Sequence, residues 1–98
     1  HAFQPQLEIY YWKDYQQKEV DFVVKDGQRI RQLIQVCWDV TNEQTRKRET
    51  QNLIKASAEL ECDDLLVITQ DFESEEKLSW MNIEKSIRFV PLWKWLLE

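Results

Sequence analysis

The segment KEVDFVVKDGQRIRQLIQVCWD, Lys18 to Asp39, decides the fold. It holds two runs rich in β-branched and apolar residues around one Asp-Gly pair, which is a hairpin signature. In the first run Val20, Phe22 and Val24 alternate with Glu19, Asp21 and Val23, so the two sets are expected on opposite faces of a strand. Loop length then fixes the partner register. A two-residue Asp-Gly turn sets Arg29 and Arg31 opposite Val24 and Phe22, on the apolar face. A three-residue loop, Lys25-Asp26-Gly27 with Gly27 left-handed, sets Gln28 opposite Val24 and Ile30 opposite Phe22. The apolar face then continues through Ile34 and Val36, so the three-residue loop is the expectation. Its parity brings Glu19, Asp21, Gln35 and Cys37 to one face.

Upstream, HAFQPQ has no period and reads as an irregular lead-in. LEIYYWK, Leu7 to Lys13, is rich in strand formers, and DYQQ is a polar turn. Downstream, TNEQTRKRETQNLIKASAELE reads as a helix capped by Thr41 or Asn42, with Thr41 and Gln44 at capping-box spacing. Leu53, Ile54, Ser57 and Leu60 form its stripe, with Ala56 and Ala58 beside it. DLLVITQ is a continuous apolar run, as a strand buried on both faces requires. A strand, a crossover helix and a buried strand make a right-handed βαβ unit, so Gln32–Val40 and Leu65–Thr69 are expected to be parallel neighbours. DFESEEKLSWMNIEK reads as an acidic irregular stretch with a short strand around Leu78 to Met81. SIRFVP is a final strand, and Pro91 opens a last helix, LWKWLLE. The layout is βββαβ(β)βα, an α/β fold with a mixed sheet flanked by helices.

A chain of 98 residues is expected to be one domain, residues 1–98. Its net charge of -5 disfavours long-range attraction to a nucleic-acid backbone while leaving room for a local basic face. One glycine, Gly27, cannot build a phosphate-binding loop, so ATP binding is not expected within these residues. His1 is the lone histidine, which leaves little for a histidine-based catalytic pair. Cys37 and Cys62 form no metal or disulfide pattern, and a reducing cytoplasm suits them. No stretch has the pattern of a membrane span or a secretory signal.

EIYYWKD, KEVDFVVKDG, LIQVCWDV, TRKRE and RFVPLWKWLL together resemble the C-terminal domain, usually labelled as of unknown function, of archaeal and bacterial ATPases of the AAA superfamily. That domain is similar to the PD-(D/E)xK nuclease fold, so the resemblance implies a restriction-endonuclease-like βββαβ core. It also implies that this chain is a fragment of a longer ATPase chain, with the ATPase domain as a partner and the ATPase activity outside it. In the nuclease pattern, a strand Asp and the Glu of (D/E)xK hold Mg²⁺, which activates water, and a Lys stabilises the transition state. Asp21 matches the Asp, Gln35 stands for the Glu and Cys37 for the Lys. The Val36 carbonyl matches the further metal ligand. The implied catalytic set is therefore Asp21, Gln35 and Cys37, and the implied metal set is Asp21, Gln35 and Val36.

Both departures weaken the chemistry. Gln35 keeps an oxygen but drops a charge worth about 4 kcal/mol beside a cation at ~4 Å in an effective dielectric of 20. Cys37 is a soft, mostly neutral thiol where a cation belongs. The expectation is a degenerate metal site, with Mg²⁺ as cofactor only if the site is active. Arg46, Lys47 and Arg48 of TRKRE are the candidate DNA contacts, against the alternative of a solvated helix face. The functional expectation is a nucleic-acid or partner-interaction module of a cytoplasmic ATPase. The alternatives are an active Mg²⁺-dependent nuclease and a structural dimerisation module using the Trp-rich end.

Overall fold

A computed structural model describes residues 7–16 and 18–98. The lead-in before Leu7, and Gln17 of the DYQQ turn, lie outside the described residues. Strands β1 (Leu7–Lys13), β2 (Glu19–Asp26) and β3 (Arg29–Val36) form an antiparallel meander. Helix α1 (Glu43–Leu60) then crosses over, and β4 (Leu65–Thr69) pairs parallel to β3. Strands β5 (Ser74–Trp80) and β6 (Ile83–Pro91) form an antiparallel hairpin, and β6 pairs parallel to β4. The six-stranded sheet has the order β1-β2-β3-β4-β6-β5, and α2 (Leu92–Leu97) follows β6 directly. The α/β class, the mixed sheet and the parallel β3–β4 pair are as expected.

The two faces of the sheet are covered unequally. Helix α1 lies against β2, β3, β4, β5 and β6. Beneath it Val20, Val23, Leu33, Leu65, Val67, Ile87 and Phe89 meet Leu53, Ile54 and Ala56 in the main core. Every residue of β4 is buried, because both its faces are covered. The opposite face carries a smaller cluster, Ile34, Leu66, Ile68 and Val90, closed by Leu92 and Trp95 of α2. Helix α2 contacts only β4 and β6, so the β1–β2 half of that face has no cover among the described residues.

Helix α1 starts where a short polar side chain can cap it. Asn42 is the N-cap, and its side-chain oxygen accepts from the Thr45 amide at 3.1 Å. Of the two caps the sequence allows, Asn42 is the one used. The helix ends at Glu61, whose φ of 55° is the left-handed conformation usually given to glycine.

Three expectations need correction. The β2–β3 loop is the two-residue turn Gly27-Gln28, closed by Asp26 opposite Arg29, and not a three-residue loop. Gly27 has a φ of 64°, and its place first in the turn is the one type II′ hairpins reserve for glycine. The Val20-Phe22-Val24 face is also broken. Between Val20 and Val23 β2 advances three residues while β1 advances two, from Trp12 to Tyr10, so a bulge sits at Asp21-Phe22. Val20 and Val23 therefore both reach the main core, and Phe22 turns out on the other face, 45% exposed. A second bulge, at Arg31, lies between the Val24–Gln32 and Lys25–Ile30 pairs.

The third correction concerns residues 71–85. The expected irregular stretch contains the seven-residue strand β5, joined to β6 by Met81 and Asn82. Its inward positions are Ser74, Glu76, Leu78 and Trp80, too polar to show as an apolar face in sequence. The turn has no glycine either. Met81 and Asn82 adopt φ of 52° and 65° themselves, the double left-handed geometry of a type I′ hairpin.

Candidate functional site

The β2 bulge lies beside the carboxyl end of β3, and there the structure brings Asp21 and Gln35 together. Bulging pulls the β2 backbone away from its ladder with β3 and leaves peptide groups to be satisfied. Gln35, only 1% exposed, fills the gap with its side chain. Its Oε1 accepts from the Asp21 amide at 2.8 Å, and its Nε2 donates to the Glu19 carbonyl at 2.8 Å. A longer contact, 3.4 Å, runs from the same Nε2 to the Glu49 carbonyl on α1. The side-chain amide thus acts as an inserted peptide group, tying β2 and α1 to β3. Asp21 completes the arrangement, because its Oδ2 accepts the Val36 amide at 2.9 Å.

Cys37 follows on the α1 side, 3% exposed and part of the main core. Strand β3 ends formally at Val36, but the ladder continues past it. The Cys37 amide donates to the Ile68 carbonyl at 2.9 Å, and the Gln70 amide to the Trp38 carbonyl at 3.2 Å. Burial, and then the nearby Glu49 carboxylate, push the Cys37 thiol above its ordinary pKa, so at neutral pH it is a packed, protonated side chain.

Helix α1 contributes an acid that the sequence reading did not single out. Burial raises the Glu49 pKa, and the charges of Asp21 and Glu19 raise it further, against the lowering effect of Arg48 at 3.6 Å. Tyr11 on β1 closes the group. Partial desolvation, a hydrogen bond with Glu19 and the charges of Glu19 and Asp21 all raise its pKa. Glu49 was recognisable only as part of a charged helix segment; its approach to Asp21 depends on how α1 crosses the sheet.

These donors do not fit a hard divalent cation. The Gln35 oxygen and one Asp21 oxygen already take backbone N–H groups. Among the described residues no three His, Cys, Asp or Glu side chains are grouped to hold a metal ion. Open clefts among the described residues include two that Asp21 and Gln35 do not line. One of about 300 Å³ runs between α1 and β5, and one of about 610 Å³ lies by the β2–β3 turn and the α1–β4 loop.

The three basic residues of α1 have different surroundings. The Arg46 guanidinium is bidentate to Glu76, at 2.6 and 2.7 Å, and lies 5.1 and 5.0 Å from the ring centres of Phe72 and Phe89. This explains why Glu76 points inward from β5. Lys47 and Arg48 are exposed on the helix surface.

The features together define an α/β domain whose carboxylate–amide pair is built into the sheet. Residues 1–95 match the family described as Domain of unknown function (DUF4143), and the chain belongs to that family. A relative, the Uncharacterized protein MJ1544 of Methanocaldococcus jannaschii, is 38% identical over 81 residues, covering 81% of this chain. The chain spans only 18% of that relative's length. No solved structure matches the chain. Among the described residues no helix is long and apolar enough to cross a membrane.

Proposed function

We propose that this chain is a nuclease-fold module joined to an AAA-superfamily ATPase, that its metal site is degenerate, and that it works by binding a partner. The order β1-β2-β3-α1-β4, with Asp21 on β2 and Gln35 on β3, supports the restriction-endonuclease-like reading of the core. The observation that carries the proposal is the Gln35 side chain. An acid at this position of a working nuclease offers its oxygens to a metal, whereas Gln35 gives both ends of its amide to the β2 backbone. The buried neutral thiol of Cys37 supplies no transition-state cation. The length of the archaeal relative supports a module within a larger chain.

A protein partner, such as the ATPase domain, suits the surface better than DNA. Arg46 is engaged with Glu76, which leaves Lys47 and Arg48 of the candidate set on a chain of net charge -5. Two phosphate contacts give a weak interaction, because affinity and its salt dependence both scale with the number of phosphates neutralised. The test is a cleavage assay of the full-length protein on single- and double-stranded DNA with Mg²⁺ or Mn²⁺. No cleavage above background is expected. Robust cleavage lost in Asp21→Ala would overturn the proposal and favour the active Mg²⁺-dependent nuclease.

A further inference from the structure

Among the described residues an apolar surface that the fold leaves uncovered lies on the sheet face opposite α1. It has two parts. On the sheet, Ile9, Tyr11 and Phe22 project from the half that α2 does not reach, 52%, 52% and 45% exposed. On α2, Trp93, Leu96 and Leu97 point away from the sheet, 60%, 59% and 81% exposed. A helix that is apolar on both sides is normally covered on both. Trp95 and Leu92 account for its inner side, and nothing among the described residues accounts for its outer side.

The two parts complement each other. Helix α2 rises over β4 and β6, while the open half lies over β1 and β2 at the other side of β3. A two-fold axis running along the strands, above β3, exchanges these halves, so α2 of one copy lands on the open half of the other. The heights along the strands also agree. Phe22 is level with Ile34, Ile34 with Leu66, and Leu66 with Arg88. Arg88 in turn meets Glu98, the neighbour of Leu97, at 3.4 Å. The end of α2 therefore lies within side-chain reach of the row that holds Phe22, and the axis brings Leu97 of one copy toward Phe22 of the other.

The area suffices. With aromatic side chains at roughly 150–250 Å² each, the exposed fractions of these six residues leave on the order of 700 Å² open per copy. A standard stable interface buries about 800 Å² per partner. Three of the surrounding charge pairs, Lys94 with Glu73, Arg88 with Glu98 and Lys13 with Glu19, are closed within the chain, so these six charges need no partner across the contact.

We infer that the chain forms a two-fold dimer in which α2 of each copy covers the β1–β2 half of its partner's sheet. The interface is isologous, with each copy giving a helix and receiving one. It stands apart from the nuclease-fold reading, which the cleavage assay tests separately.

The experiment is sedimentation of the chain across about a hundredfold range of concentration, with three samples beside the wild type. Phe22→Lys and Leu97→Glu each place a charge in the contact and should raise the dimer dissociation constant roughly a hundred-fold. An equimolar mixture of the two should dimerise again. In the mixed pair one contact sets Lys against Glu and the other is wild type. Circular dichroism checks that each variant is folded; Leu97 is exposed at the end of α2, so Leu97→Glu tests the contact even if Phe22→Lys perturbs the bulge. A monomeric wild type at all concentrations would overturn the inference and leave this face to another segment or protein. So would a dimer indifferent to Leu97→Glu, or two folded monomeric variants whose mixture stays monomeric.

Discussion

Val36 donates its amide hydrogen to the carboxylate of Asp21, Oδ2 at 2.9 Å, where a regular strand neighbour would offer a carbonyl. Asp21 and Gln35 thereby replace a stretch of β-ladder with two side chains. Removing either exposes its contribution. Gln35→Leu leaves the Asp21 N–H and the Glu19 carbonyl without partners in a buried place, and about 3 kcal/mol of unfolding free energy should be lost. Asp21→Ala should cost less, about 1 kcal/mol, because Asp21 is half-buried and water can reach the Val36 amide. Asp21→Asn keeps an acceptor and should be nearly neutral. Urea denaturation gives the order, and an Asp21→Ala variant less stable than Gln35→Leu would contradict this account.

Glu49 introduces a pH dependence of opposite sign to that of most surface acids. Burial, and then the charge of Asp21, raise its folded pKa above the ordinary glutamate value. The protonated form is favoured in the fold, so its contribution is fully present below the unfolded pKa and disappears as pH rises through the folded one. Glu49→Gln should therefore be more stable than wild type at pH 7, with the advantage shrinking as pH falls through the weakly acidic range. Melting temperatures of both proteins across that range test this, and parallel curves would refute it.

Asp14 behaves the other way. Burial works to raise its pKa, but hydrogen bonds from Lys55 and from the amides of Lys18 and Gln16 outweigh it and lower the value. Its Oδ1 accepts both amides at 2.9 Å, and Lys55 Nζ lies 2.6 Å from Oδ2, fixing the β1–β2 connection to α1. This stability is present above the unfolded pKa and is lost as pH falls through the lowered folded value. Asp14→Asn should lower the melting temperature at neutral pH and converge with wild type in strong acid. A constant difference over the whole titration would remove the ionic explanation.

Arg46 offers a direct choice between a structural and a DNA-binding role. Its planar fork matches the Glu76 carboxylate while its charge lies 5.1 and 5.0 Å from the Phe72 and Phe89 ring centres, which a lysine cannot reproduce together. Arg46→Lys should lose about 1–2 kcal/mol of stability, nearly as much as Arg46→Ala. If Lys restores full stability, the bidentate contact is not what holds β5 to α1.

The Met81-Asn82 turn carries backbone strain that its sequence could avoid. Left-handed geometry costs an ordinary residue roughly 1 kcal/mol, and Asn-Gly suits a type I′ turn best. The double variant Met81→Asn with Asn82→Gly should gain about 1 kcal/mol or more, read from a shifted denaturation midpoint with unchanged slope. Met81 is 73% exposed, so little packing is lost in the exchange.

The same residues show what can be read in a sequence. Strand β4 was legible because burial on both faces leaves a run of apolar residues with no alternation to misread. Asp21 and Gln35 were expected to meet, and they do, although the loop used to argue it was wrong. The turn at Gly27-Gln28 and the bulges at Arg31 and Asp21 shift the register in ways that simple alternation does not contain. Strand β5 was not legible. Its inward Glu76 makes sense only with Arg46 opposite, 30 residues earlier in the chain. Glu49 belongs to the same class, since only the crossing of α1 over β3 brings it near Asp21.

The Gln35 amide also constrains which sequences can be neighbours of this one. A carboxylate at position 35 could accept from the Asp21 amide but would face the Glu19 carbonyl with nothing to donate. Any single change from Gln to Glu therefore meets a repulsive backbone oxygen, and straightening β2 alone strands the amide. The two changes are useful only together. Sequences with this bulge and sequences with an acid at this place are separated by an unstable intermediate, which isolates the present arrangement for a chain that drifts one substitution at a time.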